Sequence, residues 1–315
     1  VPDPTTPLEP GSMDVHWNEG AESCASTPSA PLQVHRYDAK TFILRESLCS
    51  TYEAPFLYLL VGDTRALLID TGDIADAKQM PLASTAADLL PQTGAAKIPL
   101  VVVHTHGHLD HRSGDAQFQQ LPNVEIAATD LAHVRQYFAF ADWPNDVAKV
   151  DLGNRIVDVI PTPGHYASHV SFYDRATSLL FTGDFFLPGR LIIEDTPADI
   201  ASADRIVAFV RDRPVAYVLG GHIEMDANGA TFPMGSQHHP NEHPLPLSKG
   251  DLLALPNVVR SFNGVYGTHG VYVMYNQTRC LEIAAASALV LLVSVVVGVR
   301  RSLRRRRARR AKTTS

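Results

Sequence analysis

An α/β fold followed by a carboxy-terminal apolar helix is what this sequence predicts, and three observations carry the prediction. Short apolar runs, the clearest being Leu100–Val103, alternate with segments of helical period, the pattern in which helices cover the faces of a sheet. Several of those runs end in histidine or aspartate, above all where Val103 leads through His104 and Thr105 into His106-Gly-His108-Leu-Asp110-His111. Near the end, residues 283–299 are apolar or small, without charge or proline, and meet a run of arginines at once.

The elements follow in order. Residues 1–31 are rich in Pro, Ser, Thr, Gly and Glu without a period, so a flexible lead is expected there. Residues 42–45, 56–61 and 66–69 read as successive strands separated by turn signals. Residues 76–90 read as a helix, with Pro81 set against its middle. Helices at 112–118 and 130–140 surround a strand at 124–128, and strands resume at 155–160, 170–173 and 179–181. A helix at 202–210 with Ser202 as its cap leads into a strand at 215–219. With 315 residues and 45% hydrophobic content the chain can bury a large single core.

The histidine run is a metal site by its chemistry. Strand periodicity puts His106 and His108 on one face, so one ion reaches both. Asp110 and His111 fall in the following turn, where they can point at a second ion ~3.5–4 Å away. Neutral imidazoles with a carboxylate are the donors expected for zinc that keeps a reactive position open.

The spacing His106-x-His108-x-Asp110-His111 resembles the signature of the metallo-β-lactamase superfamily, and four further blocks resemble that family in order. They are Ala66-Leu-Leu-Ile-Asp70-Thr-Gly72, Pro161-Thr-Pro-Gly-His165, Leu179-Leu-Phe-Thr-Gly-Asp184 and Val218-Leu-Gly-Gly-His222. The resemblance spans roughly residues 40–225 and implies a four-layer αββα sandwich. It implies a first zinc on His106, His108 and His165, a second on Asp110, His111 and His222, and Asp184 between them. Asp70 would hold the ligand loops by hydrogen bonds without touching metal. Asp110 would also handle a proton. Iron or manganese suits the same donors.

Nine histidines stand outside this set. His104 lies one repeat deeper on the face of His106 and is expected to be buried and hydrogen-bonded, as is His169. His238, His239 and His243 fall in a Pro-rich loop at 232–246 that is either solvated or borders the cleft. His16, His35, His133 and His269 carry no assignment. Tyr137, Phe138, Phe140 and Trp143 form an aromatic stretch that reads either as a lid or as a packing face.

Residues 283–299 would make a helix about 25 Å long, at the short end of what crosses a bilayer. The eight Arg and one Lys that follow fix the orientation: the tail, 300–315, is expected in the cytoplasm and residues 32–279, the catalytic domain, outside it. Setting the tail's nine cations aside from the chain's −6 leaves −15 for the rest, a poor counterpart for phosphate backbones, so nucleic acid is not expected as a partner. The tail is expected to meet anionic lipid headgroups. Cys24 and Cys49 flank the first strands; outside the cytoplasm they can pair, whereas a reducing compartment would leave two free thiols. Cys280 sits at the membrane edge. The chain begins with Val, the expectation being that a processed or trimmed segment precedes it.

The function expected is that of a membrane-tethered dinuclear zinc hydrolase that uses a metal-bound hydroxide on a small ester, lactone or amide. A β-lactamase ranks second, a phosphodiesterase or nuclease third, and a non-enzymatic metal or ligand sensor coupled to the tail stands as the alternative of another class. Aspartate at 184 resembles the thioesterase, lactonase and phosphoesterase branches more than the three-histidine β-lactamases. No basic pair to grip a glutathione carboxylate is evident downstream, which disfavours a glyoxalase-II-like enzyme.

Overall fold

Period-2 alternation inside runs that are apolar on both faces sets the architecture. The computed structural model describes residues 11–94 and 96–313, with side chains as far as Ser302. Strands β1 (Leu32–Asp38), β2 (Thr41–Glu46), β3 (Phe56–Val61) and β4 (Ala66–Ile69) form an antiparallel meander. Helix α1 (Leu82–Leu89) and a small ribbon, β5 (Gln92–Thr93) and β6 (Ala96–Lys97), lead to β7 (Leu100–Val103), parallel to β4 with Ile69 opposite Val103. A 3-10 turn (Leu109–His111) and α2 (Asp115–Phe118) precede β8 (Val124–Ile126), which completes a six-stranded sheet in the order β1-β2-β3-β4-β7-β8.

Helix α3 (Leu131–Tyr137) leads to the second sheet. Its strands are β9 (Ala148–Asp151), β10 (Ile156–Pro161), β11 (Val170–Asp174) and β12 (Leu179–Gly183). After β13 (Arg190–Ile192) and α4 (Thr196–Val210) come β14 (Tyr217–Gly220), parallel to β12, and β15 (Pro246–Leu247), giving the order β15-β14-β12-β11-β10-β9. Helix α5 (Lys249–Ser261) is followed by the hairpin β16 (Tyr266–His269) and β17 (Tyr272–Tyr275), which joins β13 in a three-stranded sheet. Helix α6 (Gln277–Thr313) ends the chain.

The core confirms four layers. Between the sheets lie Phe56, Tyr58, Leu60, Leu67, Val101 and Val103 from the first, against Val157, Val159, Phe172, Phe181 and Leu219 from the second. The alternate residues Leu57, Leu59, Leu68 and Val102 pack under Leu82, Ala86 and Phe118 of α1 and α2. On the far side Leu180 and Val218 pack under Ile206 and Val210 of α4 and Leu252 and Leu255 of α5. Each such side chain contributes about 1.5–3 kcal/mol by leaving water. A buried Arg155 joins the sheets at the end away from the histidines, pairing with Asp174 at 2.7 Å and donating to Lys40 and Val61 carbonyls.

The structure differs from expectation in several places. Residues 11–31 are not a flexible lead: Trp17 is buried against Phe56, Gly20 bridges to His238, and Cys24 is bonded to Cys49. Residues 1–10 of that lead lie outside the described residues. The first helix is confined to Leu82–Leu89, beginning after Pro81. Helix α4 starts six residues before Ser202, because Asp195 caps it by accepting from the Ala198 N–H and Pro197 fits its first turn. Ser202 instead donates to the Pro163 carbonyl, tying α4 to the loop before His165. Phe138 and Phe140 are buried in the inter-sheet core, with Tyr137 and Trp143 packed against it, so the aromatic stretch is a packing face and not a lid.

Helix α6 is one continuous helix from Gln277, longer than the 283–299 segment. Its stretch Gln277–Ser302 is long and apolar enough to cross a membrane, and none of it is buried against the rest of the protein. Thr314 and Ser315 of the expected tail lie outside the described residues.

Candidate metal centre

Strand ends deliver the candidate ligands to one rim. Asp70 follows β4, the 106–111 segment follows β7, and Asp184 and His222 follow β12 and β14; both pairs of strands are parallel. His165 follows β10, which runs in the same sense as β12 across the intervening β11. All seven candidate ligands meet there, in two groups: His106, His108 and His165, and Asp110, His111, Asp184 and His222.

In the first group the Nδ1 of His108 lies 2.9 Å from Nε2 of His106 and 3.0 Å from Nε2 of His165. One proton on Nδ1 serves only one neighbour, whereas a cation between them satisfies all three lone pairs. In the second group Nε2 of His111 lies 3.4 Å from Oδ2 of Asp110 and 3.3 Å from Nε2 of His222. Asp184 faces both groups: Oδ1 is 3.3 Å from His111 and 3.5 Å from His222, while Oδ2 is 3.7 Å from His165 and 4.0 Å from His106. A tetrahedral ion with bonds of ~2.0–2.1 Å separates its ligand atoms by ~3.3 Å, within the spread seen here. Oδ1 of Asp184 is buried and has no hydrogen-bond partner among the described residues, the condition of an atom that a cation would satisfy. The donor set and its spacing therefore fit a pair of divalent cations.

Four of the five imidazoles have their outward nitrogen held. Nδ1 of His165 donates to the Ile192 carbonyl at 2.9 Å, and Nδ1 of His222 to the Glu53 carbonyl at 2.7 Å. Nδ1 of His111 donates to Oδ2 of Asp70 at 2.9 Å, and Nδ1 of His106 lies 3.2 Å from Oγ1 of Thr105. Protons placed outward leave each Nε2 lone pair aimed inward. Asp70 also accepts from the backbone and the hydroxyl of Thr105, at 2.7 and 2.8 Å, so one carboxylate fixes the whole turn after β7. Its own backbone sits in the left-handed region at φ 64°, a strain aspartate tolerates better than most residues.

Charge in the second group is strongly coupled. Burial pushes His111 down, but Asp184, Asp110 and Asp70 outweigh it and hold the ring well above its usual range. Burial likewise opposes the charge of His222, and Asp184 and Asp110 raise it to about 10. His106 is pushed well below its usual range by burial and by the neighbouring imidazoles. The carboxyls of Asp184 and Asp110 are held low by His111 and His222 in spite of burial. Without metal, charge on His111 and His222 is thus balanced by the carboxylates of Asp110 and Asp184.

Two glycines make the approach possible. A Cβ on Gly183, at φ 48°, would lie 2.6 Å from Cβ of Thr105, and one on Gly221 would lie 2.7 Å from Oδ1 of Asp184.

His104 is buried and bonded to Asp115 at 2.8 Å, and His169 is bonded to Thr162 while stacking on His106, so neither joins a group. His239 is buried, stacked on Phe232 and bonded to Glu242, a packed position and not a solvated one. Sequence reasoning missed the walls of the cavity, about 220 Å³, that opens over the groups; Glu53, Arg190, Glu224, Tyr275 and Gln277 line it. Glu224 follows His222 by two positions, a parity signal that was available. Tyr275 and Gln277 reach the site by tertiary packing alone.

Comparison with known proteins follows the geometry. The model of the metallo-β-lactamase superfamily matches residues 53–222, which hold every candidate ligand. The acyl-coenzyme A thioesterase MBLAC2 of Gallus gallus is 27% identical over 218 residues, 58% of this chain and 78% of that protein. The hydroxyacylglutathione hydrolase of Rhodobacter capsulatus is 32% identical over 132 residues, 41% of this chain and 50% of that enzyme. Among solved structures, a metallo-β-lactamase from Erythrobacter litoralis superposes with a TM-score of 0.52 at 15% identity, over 74% of this chain and 98% of that one, a likeness of fold alone.

Proposed function

The chain belongs to the metallo-β-lactamase superfamily and is a hydrolase, and on that premise we propose that it is a membrane-anchored, two-zinc hydrolase of acyl esters, thioesters among them. The observation that carries the reading is Asp184, whose two oxygens face two separate groups of donors and whose Oδ1 has no other partner. His106, His108 and His165 would hold one ion and Asp110, His111 and His222 the other. Imidazole and carboxylate donors suit zinc, with iron or manganese as substitutes. Bound there, the pair would acidify a water and polarise an acyl carbonyl.

The protein's own groups do the rest. Asp110, one of four carboxylates lining the cavity, would hold a proton during attack and leaving-group departure. Asp70, through Thr105 and His111, keeps the turn that bears it in place. Arg190 is held to Glu224 by an ion pair at 3.3 Å and a backbone bond at 2.7 Å, giving the cavity a fixed polar wall. The acyl leaning rests on relatives named for thioester hydrolysis.

Residues 32–279, with the segment 11–31 packed on them, form the catalytic domain in this reading, 283–299 the span and 300–315 a cytoplasmic tail lying against anionic headgroups. The catalytic domain then faces the extracytoplasmic space, where a Cys24–Cys49 disulfide persists.

The test is metal content per purified full-length chain, with turnover of a panel comprising a thioester, an ester, a lactone, a cephalosporin and a phosphodiester. Two zinc ions, with acyl turnover abolished in His106→Ala and in Asp184→Ala, are expected. A single metal, or turnover confined to the phosphodiester, would overturn the reading.

A further inference from the structure

The wall of the metal-site cavity and the root of the long helix are the same piece of chain. Tyr275, the last residue of β17, and Gln277, the first of α6, line the cavity together with His108, His165 and Asp184. The junction is rigidly held. β17 pairs in parallel with β13, with Tyr275 opposite Ile192, whose carbonyl accepts from His165. Asn276 is buried and donates to the carbonyls of Ile193 and Glu194 at 2.8 and 3.1 Å, while its Oδ1 caps α6 by accepting from the Arg279 N–H. The ligand His165 and the helix root therefore hang on one strand.

From that root the distance to hydrocarbon is short. Ile283, the first residue of the uncharged stretch, lies six residues beyond Gln277, about 9 Å along a helix. The interfacial layer on each side of a bilayer core is roughly 5–7 Å thick. A helix crossing at Ile283 along the bilayer normal therefore sets the cavity wall about 9 Å from the acyl chains, at the outer edge of the headgroup layer. The rim agrees: Met234 and Tyr52, which line the same cavity, are 64% and 44% exposed, side chains that suit a headgroup boundary better than bulk water. The cavity itself, about 220 Å³, falls short of the ~300–1,000 Å³ that encloses a whole drug-sized ligand. It accommodates the reacting end of a substrate and leaves the remainder outside.

We infer that the enzyme takes its substrate from the leaflet that anchors it: a long-chain acyl ester or thioester whose carbonyl enters at the headgroup level while its chain stays in the bilayer. The inference rests on the hydrolase reading above and adds the source and class of the substrate. The reaction balances with water alone: water adds its oxygen to the acyl carbon, the bond to the ester oxygen or thioester sulfur breaks, and the leaving atom takes the proton. The products are a fatty acid and an alcohol or thiol.

The experiment uses the full chain in phosphatidylcholine vesicles with two chromogenic esters, a water-soluble butyryl ester and a palmitoyl ester dispersed in the same vesicles. A second protein carries an eight-residue Gly/Ser spacer between Glu282 and Ile283, which adds ~16 Å of root-mean-square reach. The wild type should hydrolyse the embedded ester at least tenfold faster than the soluble one. The spacer should cost tenfold or more on the embedded ester and less than twofold on the soluble one. Met234→Glu, at an exposed position, should lower the embedded rate threefold or more without releasing the protein. An embedded rate unchanged by spacer and charge, with the soluble ester still turned over, overturns the inference and leaves the hydrolase reading standing. Failure of the wild type on both esters removes the acyl-hydrolase reading and this inference with it.

Discussion

Asp70 and His111 are joined by a 2.9 Å hydrogen bond from Nδ1 to Oδ2, and the same carboxylate takes both donors of Thr105. Asp70 therefore sets ring orientation and tautomer at once. Asp70→Ala should weaken metal retention about 10–100-fold, the usual cost of losing such a support. Asp70→Asn should do nearly as badly, since its amide would turn a donor toward the His111 N–H. Metal per chain after dialysis against graded chelator reads the effect. Retention equal to wild type in both variants would show that the turn holds itself.

What the sequence made legible was the part of the site written in local order. Each ligand lies a few residues beyond an apolar strand, and the resemblance of those ordered blocks to the family's points to it without tertiary knowledge. The alternation of strands and helices pointed to an α/β fold, and the family resemblance narrowed it to the sandwich, which strands apolar on both faces such as β3 bear out. Part of what was missed was local signal read wrongly, and part depended on contacts distant in sequence. Helix α5 carries Pro256 inside it, which masks the capping box of Ser248 and Asp251. Helix α4 was read from Ser202 although Asp195-Thr-Pro197 was the stronger start signal. The lead looked unstructured by composition, but Trp17 finds its place only against Phe56, and no local rule announces that pairing.

Gly221 lets the second group of donors close up by its missing side chain. A Cβ there would stand 2.7 Å from Oδ1 of Asp184, a buried atom, and 3.0 Å from Cε1 of the fully buried His111. Gly221→Ala should displace the carboxylate and lower kcat by ~10²-fold, as small misplacements of catalytic groups do. Stability should also fall, by about 1–3 kcal/mol, because the methyl must push buried atoms aside. Activity within threefold of wild type would mean that Asp184 does not need this position.

The Cys24–Cys49 bond closes a loop across a sequence separation of 25 and ties the amino-terminal segment to the connection between β2 and β3. By loop-closure entropy it contributes about 3 kcal/mol. Cys24→Ser should lower the melting temperature by several degrees and expose residues 11–31 to proteolysis while sparing the metal groups. A melting temperature unaltered by the substitution would place the holding force in Trp17 and Gly20 alone.

Glu46 should give stability a pH dependence of its own. Burial is the main force raising its carboxyl to about 8, opposed by the Asp73 N–H that bonds Oε2 at 3.1 Å and aided by the charges of Asp73 and Asp110. Oε1 is buried without a partner. Between the unfolded value of about 4.5 and the folded value the native state binds the extra proton, so the slope of stability with pH is negative. The contribution is complete below the unfolded value and is lost as pH rises through the folded one. Glu46→Gln keeps the shape and removes the charge. It should therefore melt higher than wild type at about pH 9 and gain little at about pH 5. Melting curves of both proteins at the two pH values, with zinc held constant, decide it. An equal difference at both would mean that Glu46 carries the same charge folded and unfolded.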